Sequence, residues 1–181
     1  MIRPRPRGPA SALLVALAGA GCGYQLMTAE RGPLDGRVLV IGAIEPARAA
    51  DAPVASYLAA ALPRELGAAG VPLRGSRAGY AAELSAVLEP VDERVDAFPR
   101  APVGFDPPSA TGRVAGAYAL TARLRVRIER DAGVALWDGT VTAHAEYAES
   151  ASLADTAAAR DRAERDLAAA LAARVREVLV R

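Results

Sequence analysis

The stretch YALTARLRVRIERDAGVALWDGTVTAHAEY, from Tyr118 to Tyr147, decides the fold. In its first half Tyr118, Leu120, Ala122, Leu124, Val126 and Ile128 occupy every second position. Ala119, Thr121, Arg123, Arg125, Arg127 and Glu129 fill the positions between. A period of two with apolar and polar sides is the pattern of a strand with one buried face. The strand is expected over 114–129. Arg130, Asp131, Ala132 and Gly133 form a tight turn, with glycine where a positive φ is needed. The returning strand begins in even phase at Val134 and Leu136. It continues in odd phase through Trp137, Val141, Ala143, Ala145 and Tyr147. A period-two pattern changes phase only through an extra residue, so a β-bulge is expected between Leu136 and Gly139. The product is a long antiparallel hairpin with one apolar face to cover.

The flanking segments supply the cover. From about Leu153 to Val180 the chain is rich in Ala and Arg and has neither Gly nor Pro, which favours helix. Ala159, Ala163, Leu167, Leu171, Val175 and Val178 line one side of it. Arg160 with Glu164, Asp161 with Arg165, and Arg162 with Asp166 stand four apart. Ser150 to Asp155 provides its cap. Upstream, Val38 to Ile44 is a short apolar run suited to a strand buried on both faces. Asp51 is placed as an N-cap, followed by Pro53 in the first turn and by Val54, Leu58, Ala61, Leu62 and Leu66 on one helical face. Pro63 is expected to kink that helix or end its first half, and Gly67 or Gly70 to close it. Tyr80 to Leu88 reads as a further strand. Pro90 to Gly116 reads as a loop of about 25 residues. Its length marks it as a candidate partner contact, centred on Val103, Phe105, Asp106 and Pro107. The order strand, helix, strand, loop, hairpin, helix predicts an α/β (α+β) two-layer sandwich. It would have about four mixed or antiparallel strands with two helices on one face, in a single domain over 37–181.

The N-terminus reads differently. Arg3, Arg5 and Arg7 precede an uncharged, mostly apolar run from Ala10 to Ala20, then Gly21 and Cys22. A basic start, a short apolar run and small residues before a cleavage point are marks of a secretory leader. The run is about half the ~20 residues of a membrane-spanning helix. The chain's one cysteine stands where the leader ends. This resembles a bacterial lipoprotein signal, in which that cysteine carries the lipid, although Gly19 stands where the pattern favours Leu. Ordinary cleavage with Cys22 left free is the alternative. Residues 1–21 are then the leader and 22–36 an acylated cysteine with its linker. Gly23 after the cysteine resembles the sorting choice for the outer membrane.

Composition removes several function classes. Without the three leader arginines, 19 Arg face 21 acidic residues, so no general affinity for nucleic acid is expected. The mature chain has one His and one Cys, too few for a zinc site of the usual three or four ligands. No serine sits in a Gly-x-Ser-x-Gly elbow, and His144 falls on the solvent side of its strand. The glycines from Gly67 to Gly79 lack the Gly-Lys-Ser/Thr of a phosphate loop. Asp92 and Glu93 are adjacent and read as a solvated, loop-borne pair. No enzyme activity, metal or cofactor is expected beyond a covalent lipid at Cys22. What remains is the row Arg123, Arg125, Arg127, spaced about 7 Å apart on one face. Such a row suits phosphate or acidic sugar, or a protein partner; a solvated face balanced by Glu129 and Glu146 is the other reading.

Cys22, Gly23, Tyr24 and Leu26 at the mature start, the element order, Val38–Ile44, Tyr118 and the Leu136–Trp137 region together resemble the LptE family. These are lipoprotein partners of LptD, the outer-membrane barrel that inserts lipopolysaccharide. The resemblance implies a lipid-anchored protein on the periplasmic side of the outer membrane. Its implied partners are an LptD-like β-barrel and lipopolysaccharide, for either of which Arg123, Arg125 and Arg127 are the candidate contact. The strand at Val38–Ile44 followed by an amphipathic helix also resembles LpoB-type activators of periplasmic peptidoglycan synthases. That class carries a long tether, whereas about 15 residues separate Cys22 from Val38, a reach of at most ~50 Å.

Overall fold

In the computed structural model the described residues are Leu34, 37–75, 81–97, 116–130, 133–150 and 152–180. Cys22, the linker, and Val103, Phe105, Asp106 and Pro107 lie outside them. The elements follow the order β1 (Val38–Pro46), α1 (Ala52–Ala68), β2 (Leu73–Arg74), β3 (Ala81–Leu88), β4 (Asp92–Ala97), β5 (Ala117–Arg130), β6 (Val134–Ala148) and α2 (Leu153–Val180). A turn of 3-10 helix, Ala49–Asp51, leads into α1.

Six strands, rather than about four, form one mixed sheet. β1 runs parallel to β2 and β3. Parallel neighbours need a crossover, and α1 supplies it. β5 is antiparallel to β3, β4 and β6. One edge of β5 is shared: β3 pairs with residues 124–129 and β4 with residues 117–121. β4 lies inside the segment expected to be loop. Its sequence, DERVDA, is mostly charged, so period-two hydrophobicity could not reveal it.

The hairpin follows its sequence pattern closely. Leu120, Ala122, Leu124, Val126 and Ile128 are buried, while Arg123, Arg125 and Arg127 are exposed. Ile128 pairs with Trp137 and Glu129 with Ala135, which leaves Leu136 as the extra residue of a bulge. Past it, Val141 and Ala143 are buried in odd phase, as the phase change requires. The Trp137 indole lies across Gly139, where an added Cβ would meet the ring at 2.5 Å. Gly139 is therefore a close-approach glycine. Gly133 has φ 73° at the turn.

Both helices cover the same face of the sheet. Leu58, Leu62 and Leu66 of α1 and Leu167, Leu171 and Val175 of α2 join Leu39, Leu84, Leu88, Leu120, Leu124 and Ile128 in one core. α2 lies across β6 and β5, and α1 lies against β1 and α2. Alanines at 163, 168 and 172 are buried on α2 and let the layers approach closely. The helices are also tied side to side. The Tyr57 hydroxyl donates to Asp161 at 2.5 Å, Arg165 lies 5.2 Å from the Tyr57 ring centroid, and Arg176 donates to Glu65 at 2.9 Å. Of the pairs expected along α2, Arg160–Glu164 and Asp161–Arg165 form.

Two details of α1 differ from the sequence expectation. Asp51 makes no side-chain cap to α1. It is instead a buried acid, 6% exposed, that accepts from Arg48 Nε at 3.0 Å and from the Val91 backbone N–H at 3.4 Å. Arg48 donates also to the Val91 carbonyl. This fastens the entry of α1 to the step between β3 and β4. Pro63 lies inside one continuous helix that runs to Ala68, so the helix is not divided there. Its end is set by Gly70 at φ 77°: the Val71 N–H bonds the Leu66 carbonyl and the Gly70 N–H the Gly67 carbonyl. Those two bonds define a Schellman motif. At the start of α2, Ser152 Oγ accepts from the Asp155 N–H at 3.3 Å.

Candidate functional site

With both helices on one side, no described helix or strand lies over the other side of the sheet, where Val40 and Ala81 are buried and the outward residues of β5 from Arg123 to Arg127 are exposed. A strand presents alternate side chains to alternate faces, so burying the even positions of β5 sends its odd positions outward. Arg123, Arg125 and Arg127 thus stand in a row on the uncovered face, as the sequence predicts. Of their surroundings, Glu129 was legible in the sequence and Asp138 was not. Arg127 Nε lies 2.6 Å from Glu129 Oε1, and Arg125 Nε lies 3.5 Å from Asp138 Oδ1 on β6. These pairs are solvent-exposed, where ion pairs contribute about 0–1 kcal/mol and the guanidinium groups can still exchange partners.

Two hollows flank the row. One, of about 410 Å³, sits at the step between β3 and β4 and is lined by Glu89, Pro90, Asp92, Arg94, Thr121 and Arg123. The other, of about 370 Å³, runs beside β1 and β3 and includes Glu45, Ser85, Val87, Arg125 and Arg127. The first brings Arg94 to Arg123, a partner the row lacked in sequence. It exists because Leu88 to Asp92 steps the chain from β3 to β4 along one edge of β5. Arginine forks can grip phosphate or carboxylate bidentately. Asp92, Glu89, Asp138 and Glu129 intersperse negative charge among them. The face is thus mixed rather than uniformly cationic, and suits a ligand or partner with both signs of charge. His144 is exposed on the same face, opposite Thr121. Among the described residues no three His, Cys, Asp or Glu side chains lie together as metal ligands do.

Asp92 and Glu93 are not a loop-borne pair. They lie on β4 and point to opposite faces. Glu93 turns to the helix side, where the Tyr147 hydroxyl donates to it and Arg160 of α2 lies 3.1 Å away. Tyr147 stacks on Tyr118 with centroids 5.2 Å apart, and the Tyr118 hydroxyl donates to Glu149 at 3.2 Å. Burial, then the carboxylate of Glu93, pushes the Tyr147 phenol well above its ordinary range. Burial likewise raises Glu164, against the opposing pull of Arg160. This cluster joins β4, β6 and α2. Glu93, Tyr147 and Arg160 lie far apart in the chain, and no local pattern connects them.

Among the described residues no helix is long and apolar enough to cross a membrane. No protein-family model matches the chain, and no curated protein matches it. Solved structures do. A minor lipoprotein from Acinetobacter baumannii matches with a TM-score of 0.52 and 18% identity, over 80% of this chain and 90% of that one. The rare lipoprotein B from Shewanella oneidensis matches with a TM-score of 0.46 and 12% identity, over 78% of this chain and 92% of that one. At such identities the first likeness concerns the fold.

Proposed function

We propose that this chain is an LptE-like outer-membrane lipoprotein. In this reading it is anchored through Cys22 on the periplasmic side and helps assemble and plug a lipopolysaccharide-inserting β-barrel. The observation that carries the reading is the one-sided sheet. Both helices protect one face, and the other offers the arginine row and its two hollows to a partner. The leader ending at Cys22 supports a lipid anchor, as does a fold shared with the Acinetobacter minor lipoprotein. One acyl chain holds a protein to a bilayer only reversibly, whereas several hold it firmly. A short linker after Cys22 keeps the domain near that membrane.

Lipopolysaccharide offers phosphates and acidic sugars to Arg94, Arg123, Arg125 and Arg127. Replacing Arg123, Arg125 and Arg127 together with Gln should leave the fold intact and weaken lipopolysaccharide binding. Raised salt should weaken wild-type binding too, because exposed charges are screened within ~8–10 Å. Wild-type binding by the triple variant would reduce the row to a solvated face. Co-purification in detergent tests the partner. Recovery of an outer-membrane barrel supports this reading. Recovery of an inner-membrane peptidoglycan synthase replaces it with the LpoB-like alternative.

A further inference from the structure

β6 is the last strand of its sheet, and among the described residues nothing pairs with its outer edge. The direction of its backbone groups follows from one bond. The Glu149 N–H donates to the Gly116 carbonyl at 2.8 Å, in register with the β5–β6 ladder. In an antiparallel ladder hydrogen-bonded pairs alternate. Past the Leu136 bulge, the odd residues of β6 therefore bond β5. The even residues Asp138, Thr140, Thr142, His144, Glu146 and Ala148 turn their N–H and C=O groups outward. All six are exposed. Such an edge is a template for another strand, and proteins blunt it with Lys, Pro, bulges or short length. From Asp138 to Ala148 this edge has no Lys, Arg or Pro, and the bulge lies before it.

We propose that this edge pairs with the same edge of a second copy, antiparallel about a two-fold axis through Val141. Outward groups on even residues allow only registers that oppose even with even. With Val141 opposite itself, Asp138 meets His144 of the second copy, twice by symmetry, and Thr140 meets Thr142. On the helix side Trp137 meets Ala145 and Gly139 meets Ala143, large against small. Shifting the axis to Thr142 would set Asp138 against Glu146, and like charges directly opposite are destabilising. Shifting it to Thr140 leaves Asp138 opposite Thr142 and loses the pairing of the Asp138 carboxylate with the His144 ring. The surface is isologous, as a two-fold dimer requires. It joins two sheets into one and leaves both arginine rows on the same continuous face.

Two measurements test this. Sedimentation of the full chain in detergent should give a dimer. Thr142→Pro should give a monomer with an unchanged circular dichroism spectrum, because that N–H faces outward and serves no β5 bond. In a full chain carrying Cys22→Ser, which is otherwise free of cysteine, Val141→Cys should form a disulfide-linked dimer under mild oxidation. Ala145→Cys should not, since its two copies would lie roughly 27 Å apart at ~3.4 Å per residue. A monomer at every concentration overturns the proposal, and so does cross-linking at 145 without cross-linking at 141. The cysteine pair decides the matter even if the proline variant fails to fold.

Discussion

Leu124 and Arg125 are neighbours in sequence and opposites in the fold, which makes them a direct test of the sheet's facing. Leu124 is fully buried between β5 and the helices. Truncation to Ala removes about three methylene-sized groups, each contributing ~0.8 kcal/mol of transfer free energy, or roughly 2.4 kcal/mol. The cavity adds to this. Leu124 is hydrogen-bonded into a strand with neighbours on both sides, so the backbone cannot collapse inward. An unfilled volume of roughly 50 Å³ at ~24 cal/mol per Å³ adds about 1.2 kcal/mol. Leu124→Ala should therefore lose about 3–4 kcal/mol. Arg125 keeps 64% of its side chain in solvent and holds Asp138 only at 3.5 Å. Arg125→Ala should lose under ~0.5 kcal/mol. Urea denaturation followed by circular dichroism reads both, provided the slope with denaturant stays constant. Equal losses at the two positions would refute the facing of β5, and with it the claim that the arginine row is free for a partner.

Gly70→Ala places a Cβ in open space but at φ 77°, so the loss should be purely conformational, about 1–2 kcal/mol by the same assay. Asp51→Ala should lose about 1–3 kcal/mol, because it strips a buried acceptor from the Val91 N–H and from Arg48. Tyr147 has a folded-state value raised above the ordinary 10.0, by burial first and Glu93 second. Its stabilisation is thus complete below that pH and is lost as pH rises beyond it. Stability of the wild type should fall above pH 10 more steeply than that of Tyr147→Phe, and parallel curves would contradict the assignment. If the proposed function holds, shortening the segment from Val103 to Ser109 should lower recovery of an outer-membrane barrel by co-purification and leave direct lipopolysaccharide binding unchanged.

The hairpin, its bulge, both helices and most inward residues were determined by local sequence, because each is a periodic pattern read over neighbouring positions; on α2 Leu179 is buried where Val178 was expected, and Ala168 and Ala172 join it. The alternation through Leu124 sends every second side chain to one face, and the phase change after Leu136 requires an extra residue there. Tertiary structure alone decided what such patterns do not encode. β4 is charged on both faces and is a strand only because β5 offers it an unused edge. Asp51 looked like a cap by position, yet the nearby Val91 and Arg48 claim its carboxylate. Glu93, Tyr147 and Arg160 meet only when three elements pack together. The arginine row was legible as a row. So was its balance by Glu129, two residues along the same strand. Its pairing with Asp138, and the hollow it shares with Arg94, were not, because they depend on which strands become neighbours. Local spacing sets the direction in which a side chain points; long-range pairing sets what it meets there.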